Sequence, residues 1–254
     1  MYAAENSHGA VTKLLVEAGS DVDAFDTYGL TALMMAISAE ANRKATTDHT
    51  RVLKTLITAS KNVDAQTKSG KTALMIAARE GNDRAVDRLI KKGSNVNMEH
   101  SGDGIHYRGA PYGTALLKGI AFCLERAEYK SWMTEKHGWL ANEDSRDHES
   151  FSAESMNLLQ PFFRHGIQWL DNRNPHRCVQ LLLEAGAEVN VSDQTGVTAL
   201  MYTVTSHGTL DLSKELIRHG ADINAKGQRQ GFFRYFLLVS YSYGQTSTYD
   251  LFEN

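Results

Sequence analysis

Thr31-Ala-Leu-Met34 is a four-residue stretch that returns at Thr72–Met75 and Thr198–Met201, and with one change at Thr114–Leu117. A threonine in front of a helical run caps free backbone amides with its hydroxyl, and alanine, leucine and methionine favour helices. Each copy therefore predicts the start of a helix. A glycine stands two residues before three of the threonines, where a tight turn requires positive φ: Gly29, Gly70 and Gly196.

A second apolar-periodic segment follows each of these helix starts, for example Val86-x-x-Leu89-Ile90. The second helix is expected to end at a glycine, which caps a helix C-terminus in the left-handed conformation. A valine or isoleucine followed by aspartate or asparagine comes three residues later. The glycines are Gly19, Gly93, Gly186 and Gly220, and the pairs begin at Val22, Val63, Val96, Val189 and Ile223.

This order of turn, helix, helix and Gly-x-x-Val-Asn/Asp resembles the ankyrin repeat, whose unit of about 33 residues carries a Thr-Pro-Leu-His signature. The aligned residues Met1, Met34, Met75, Leu117 and Met201 lie 33, 41, 42 and 84 residues apart, so extra residues interrupt the period. The resemblance implies an all-α ankyrin-repeat solenoid of paired helices with β-turn fingers, and a helical insertion in the fourth repeat.

The alignment divides the chain into a repeat array over residues 1–226 and a non-repeat tail over 227–254. Met1 aligns inside the first helix of a repeat, which we call the inner helix, the second being the outer helix. We therefore expect the chain to begin within a longer array. The repeats lie near 1–25, 26–66, 67–98, 99–191 and 192–226, and the insertion spans 123–173.

Four departures from the family pattern have structural consequences. Alanine replaces the proline of every signature, and methionine or leucine replaces the histidine, so that this position packs instead of donating hydrogen bonds. One extra residue near Val204–Thr205 interrupts the fifth repeat. Ser60 stands where glycine is expected to end the second outer helix. A left-handed serine costs roughly 1 kcal/mol, which predicts a looser junction there.

Composition excludes several classes of function. The net charge of −3 and the pI of about 6.4 argue against a nucleic-acid surface or a basic membrane patch. No apolar run is long enough to cross a membrane, and the first residues lack the basic and apolar regions expected of a signal peptide. Cys123 and Cys178 form no zinc spacing or disulfide framework, which indicates buried thiols in a reducing compartment. We predict a cytoplasmic protein, with the nucleus as the alternative.

The family resemblance implies that another protein binds the concave face formed by the fingers and inner helices. The enlarged finger at 99–112 contains tyrosines and an arginine, a composition typical of contact surfaces, although a solvated loop remains the other interpretation. The candidate partner-binding residues are Tyr28, Leu30, Lys68, Lys71, Arg79, Glu80, Tyr107, Arg108 and Tyr112.

The histidines and aspartates form no convincing metal or cofactor site. His100, Asp103 and His106 have ligand-like spacing, but no fourth ligand is evident, so we predict no metal and no cofactor. The insertion contains two amphipathic segments, at 125–138 and 155–170. They are expected either to fold back on the array as a helical hairpin or to form a second docking surface.

The sequence therefore predicts a non-catalytic interaction scaffold or adaptor. The alternative is a fragment of a larger ankyrin-containing protein, such as a ubiquitin-ligase adaptor, a kinase or a channel. The resemblance also implies a modification, because asparagines at the Val/Ile-Asn position are hydroxylated in some family members. The matching candidates are Asn97, Asn190 and Asn224, for which a role in the turn is the competing explanation.

Overall fold

The computed structural model describes residues 1–42, 47–100, 113–124, 174–193, 196–203 and 209–226. These residues form five successive helix pairs, and isolated β-bridges rather than a sheet occur in three of the four described connections between pairs, at Phe25–Thr31, His100–Gly113 and Ser192–Thr198. The pairs are α1 (Tyr2–Glu5) with α2 (Gly9–Glu17), α3 (Ala32–Asn42) with α4 (Thr47–Ala59), α5 (Ala73–Arg79) with α6 (Asp83–Lys92), α7 (residues 115–124) with α8 (Pro175–Glu184), and α9 (Ala199–Thr203) with α10 (Leu210–Arg218). The predicted all-α fold class is confirmed.

The recurring threonine precedes the first helix of a pair in all four cases, as predicted, and caps it with its side chain in three. The hydroxyl oxygens of Thr31, Thr72 and Thr198 accept hydrogen bonds of 3.2–3.4 Å from the backbone N–H three residues later. Thr114 differs, because its buried Oγ1 has no hydrogen-bond partner among the described residues. The fourth repeat therefore begins its first helix without this side-chain cap.

The pairs stack in two rows that share one apolar core. The first helices α1, α3 and α5 pack in sequence, and so do the second helices α2, α4, α6 and α8. Residues that replace the family histidine lie inside this core: Met34, Met75 and Leu117 are buried, and Met201 packs half-buried against it. The prediction that this position only packs is consistent with that burial.

Helix α7 fits between α5 and α8 because a glycine allows close approach. A Cβ atom on Gly119 would lie 3.3 Å from Val179 Cγ2 and 3.8 Å from Ala78 Cβ. The helix continues through residue 124, so buried Cys123 and Leu124 belong to it, although our boundaries assign them to the insertion. The two halves of the fourth repeat thus lie beside the third, although 49 residues separate them in the chain.

The aspartate or asparagine after each valine joins one pair to the next. Asn97 Nδ2 donates to the Gly186 carbonyl at 3.2 Å, and its Oδ1 accepts from the Glu188 N–H at 2.8 Å. Asn190 repeats both bonds with Gly220 and Asp222. Asp64 accepts from the Asn95 N–H at 3.0 and 3.2 Å. The Asn97 bonds span the insertion, so they fix how the third pair meets the fourth.

The prediction of a left-handed Ser60 is wrong. Gly19, Gly93, Gly186 and Gly220 have φ between 85° and 100°, whereas Ser7 is the one non-glycine residue with positive φ in the described ranges. Ser60 Oγ instead donates to Asp23 Oδ1 at 2.6 Å, and the Lys61 N–H donates to Asp23 Oδ2 at 2.8 Å. The carboxylate of Asp23 therefore holds this junction without the strain that a left-handed serine incurs.

Several sequence predictions fall on residues outside the described ranges. They are the tip of the enlarged finger at 101–112, the insertion from 125 to 173, the extra residue near Val204–Thr205 and the tail at 227–254.

Asn97→Ala is expected to lower the free energy of unfolding by about 2 kcal/mol, since two hydrogen bonds of about 1 kcal/mol each are lost. Asn224→Ala is the matched control. Asn224 occupies the same position in the fifth pair, and its side chain makes no hydrogen bond within the described residues. Urea unfolding of both variants measures the difference, and equal losses would contradict a role for Asn97 in joining the pairs.

Candidate functional site

The first described finger is a tight turn that presents a tyrosine. Asp26 Oδ1 accepts from the backbone N–H of Tyr28 at 2.8 Å and from that of Leu30 at 2.9 Å. The Asp26 N–H also donates to the Leu30 carbonyl at 3.0 Å, and Phe25 bridges Thr31 at the base. Tyr28 is 72% exposed, whereas Leu30 is half-buried against the core. The turn is therefore rigid, and its aromatic side chain faces solvent.

The next finger is joined directly to the first. The Lys68 N–H donates to the Tyr28 carbonyl at 3.0 Å. Thr67 Oγ1 accepts from the Lys71 N–H at 3.0 Å and lies 3.0 Å from Ser69 Oγ. Lys68 and Lys71 are both exposed. Two adjoining, internally bonded turns thus place one tyrosine and two lysines on neighbouring parts of the surface.

The C-terminal end of α5 adds a stacked cation. Arg79 Cζ lies 5.8 Å from the centroid of the Phe122 ring, within the distance at which a guanidinium is attracted to an aromatic face. Phe122 is buried in α7, and Arg79 and the following Glu80 are half-buried. This contact fixes the position of the guanidinium between the third and fourth pairs.

Lys118 is a functional candidate that the sequence reasoning missed. It lies in α7 and is 6% exposed, one turn before Phe122. Burial, together with the neighbouring charges of Lys71 and Arg79, lowers its pKa from 10.5 to about 8. A signal was available, because the same position after the recurring threonine holds Met35, Ile76 and Tyr202 in the other repeats. A lysine in that series is a departure from an otherwise apolar or aromatic position.

The structure thus brings the predicted residues of the second and third repeats to one surface. We name it the finger face and define it by Tyr28, Leu30, Lys68, Lys71, Arg79, Glu80 and Lys118. Tyr107, Arg108 and Tyr112 lie outside the described residues, so their place at this face stays a prediction.

The candidate hydroxylation sites differ in their surroundings. The side-chain amides of Asn97 and Asn190 use both their donor and their acceptor in bonds to the next pair. Asn224 is exposed, and among the described residues only its backbone N–H is bonded, to Asp222 Oδ1 at 2.8 Å. The structural explanation therefore holds for the first two, and hydroxylation of the three stays a prediction.

Two buried titratable groups outside the finger face, His49 and Cys178, lie in structural surroundings. His49 is buried, with Nδ1 2.5 Å from Ser7 Oγ and Nε2 3.2 Å from the Ala36 carbonyl, which ties the first helix pair to the second. Burial also raises the pKa of the Cys178 thiol, which disfavours the nucleophilic thiolate. No group of three His, Cys, Asp or Glu side chains within the described residues is arranged to hold a metal ion. None of the described helices is both long and apolar enough to cross a membrane.

Comparison with known proteins supports the repeat assignment. Residues 69–101 match the model of the ankyrin repeat, and residues 169–232 match a model of three ankyrin repeats. This chain is an ankyrin-repeat protein. A solved ankyrin repeat domain from Acinetobacter baumannii AYE has the same fold, with a TM-score of 0.57 and 23% identity over 87% of this chain and 81% of that one.

Curated relatives match a shorter part of the ankyrin-repeat chain. It is 30% identical over 156 residues to ankyrin repeat and SOCS box protein 6 from Homo sapiens and to the protein of that name from Pongo abelii. The match covers 58% of this chain but 31% of each relative, so the chain spans about a third of their length. Ankyrin repeats are generally protein–protein interaction modules and typically non-catalytic.

Proposed function

We propose that this ankyrin-repeat protein is an interaction scaffold that binds another protein on the finger face. One observation carries the proposal. Two adjoining turns, each held by its own side-chain hydrogen bonds and linked by the bond from the Lys68 N–H to the Tyr28 carbonyl, present an exposed tyrosine beside exposed lysines. A partner that binds preformed turns avoids the entropic cost of ordering them.

The residue types on this face support the same function. Tyrosine and arginine are enriched among the residues that dominate binding energy at protein interfaces. Their contribution is large when the side chain is well positioned and loses water on binding. Tyr28 provides the exposed aromatic side chain, and Arg79 is held in place by the Phe122 ring. The lysines lie beside these two residues and provide charge at the margin.

A pull-down from cells with quantitative mass spectrometry tests the proposal. We expect Tyr28→Ala and the double variant Lys68→Ala/Lys71→Ala each to reduce recovery of a specific partner by about tenfold or more, as loss of an interface anchor does. The matched control is Lys54→Ala/Lys61→Ala, which removes two exposed lysines from α4 and the loop that follows it. A partner lost with the control variant and retained by both finger-face variants would contradict the proposal.

A second candidate function is that of a ubiquitin-ligase adaptor, in which the finger face holds the protein to be modified. The similarity to ankyrin repeat and SOCS box protein 6 favours it. Depletion of this protein is then expected to lower ubiquitylation of the partner that the finger face captures, and to raise its abundance. Unchanged ubiquitylation after depletion would exclude this candidate and leave the scaffold function standing.

A further inference from the structure

The finger face differs in charge from the rest of the chain. The ionisable side chains of the finger face are Lys68, Lys71, Arg79, Glu80 and Lys118, and Asp26 holds the turn that presents Tyr28. Four of these six are basic, whereas the chain as a whole has a net charge of −3. A local excess of positive charge on an acidic protein selects for partners of opposite sign and increases their rate of association.

Two carboxylates against four basic side chains leave an excess of two positive charges by count. Asp26 is engaged from within its own finger, because its Oδ1 accepts two backbone N–H groups. Glu80 follows Arg79 directly and is half-buried at the end of α5. Lys68 and Lys71 are exposed, and neither has a carboxylate partner within the described residues.

The buried Lys118 adds to the positive electrostatic potential of the finger face. Its side chain is buried in α7, near enough to Lys71 and Arg79 for their charges to act on it. A charge in a low-dielectric environment is screened less than one in water, so it acts over a longer distance. The other repeats hold Met35, Ile76 and Tyr202 at this position, so the cation is confined to the fourth repeat.

From this arrangement we infer that the partner of the finger face is a protein that presents an acidic segment, with carboxylates that contact Lys68 and Lys71 and point toward Arg79. This inference rests on the proposed scaffold function and specifies its partner class. Tyr28, 72% exposed beside Lys68, offers an apolar contact to a side chain that flanks the carboxylates.

Fluorescence anisotropy with the full chain tests the inference. The probe is a fluorescein-labelled peptide of eight glutamates, and the comparison peptide has eight glutamines. We expect the glutamate peptide alone to bind, with weaker binding at about 200 mM than at about 50 mM salt because screening increases. Lys68→Ala/Lys71→Ala is expected to weaken binding about tenfold, as loss of close charge pairs does, and Lys54→Ala/Lys61→Ala to leave it unchanged.

Lys118→Met adds an independent readout. It is expected to weaken binding of the glutamate peptide several-fold although the exposed surface is nearly unchanged, since Lys118 is 6% exposed. Circular dichroism verifies that the helices are retained. Equal binding of the glutamate and glutamine peptides would overturn the inference. So would binding of the glutamate peptide that is unchanged in Lys68→Ala/Lys71→Ala.

Two further outcomes separate this inference from the function on which it rests. If the pull-down loses a partner in Lys68→Ala/Lys71→Ala but the glutamate peptide neither binds nor competes with that partner, the acidic segment is wrong and the scaffold function stands. If a thymidine oligonucleotide of equal charge binds these lysines more tightly than the peptide does, the face selects nucleic acid and the inference is also wrong.

Discussion

Gly29→Ala is expected to lower the free energy of unfolding by roughly 3 kcal/mol, because it combines backbone strain with a clash between two fingers. Gly29 has φ of +78°, and an added Cβ atom would lie 2.8 Å from Lys68 N and 2.9 Å from Thr67 Cα. Both of these neighbours are backbone atoms, so no side-chain rotation relieves the overlap. The variant also forces apart the two turns that form the finger face.

Gly19→Ala separates the two contributions. Gly19 has φ of +85°, and no atom of the described residues lies within 4 Å of an added Cβ atom, so this variant carries strain without a clash. We expect it to lose about 1 kcal/mol. Urea unfolding of both variants gives the difference, which measures how closely the second finger packs on the first. Equal losses would mean that the two fingers move apart without a further loss in the free energy of unfolding.

The fold was predictable from the sequence wherever the cause of a local structure lies within a few residues of the repeated pattern. Gly29, Gly70 and Gly196 were expected to have positive φ, and the structure gives 78°, 83° and 76°. A glycine two residues before a helix-capping threonine is interpretable in isolation, because both effects act within a few residues. The paired-helix architecture needed only that pattern and its repetition.

Predictions failed where a distant partner decides the outcome. Ser60 avoids the left-handed region because Asp23, 37 residues earlier, accepts its hydroxyl and the next N–H. Thr114 has the sequence of a cap but lacks the bond. The Ser60 result is not visible in a local window, since it depends on how one repeat meets another, and the structure gives no reason for the missing Thr114 bond.

The candidate site shows the same limit. Turn position alone placed Tyr28, Lys68 and Lys71 on the surface, and the structure agrees. The burial of Lys118 was not predictable in this way, because it depends on packing between the third and fourth pairs. Comparison of aligned positions would have detected Lys118 as an exception, but it would not have shown that Lys71 and Arg79 lie near it.

Lys118→Met is expected to stabilise the protein near pH 7 by roughly 3 kcal/mol, since burial and neighbouring cations lower the pKa of Lys118 from 10.5 to about 8. At neutral pH the lysine is charged in both the folded and the unfolded chain, and the folded state pays the full cost of burying that charge. Methionine has a similar length and no charge, and Met35 already occupies the equivalent position in the second repeat.

The sign of the pH dependence follows from the direction of this shift. Between about pH 8 and pH 10.5 the unfolded chain binds the proton that the folded chain has released, so the free energy of unfolding of the natural protein rises with pH. Lys118→Met lacks this contribution. The stability gap between the two proteins should therefore shrink by about 2 kcal/mol from about pH 7 to about pH 9.5.

Urea unfolding at the two pH values tests this, with Lys54→Met as the control. Lys54 is exposed in α4, so its replacement is expected to change stability by less than about 0.5 kcal/mol at either pH. A gap for Lys118→Met that does not change with pH would mean that the lysine reaches water. A variant that is more stable yet binds the glutamate peptide less tightly would show that the cation is retained for binding, at a cost to the fold.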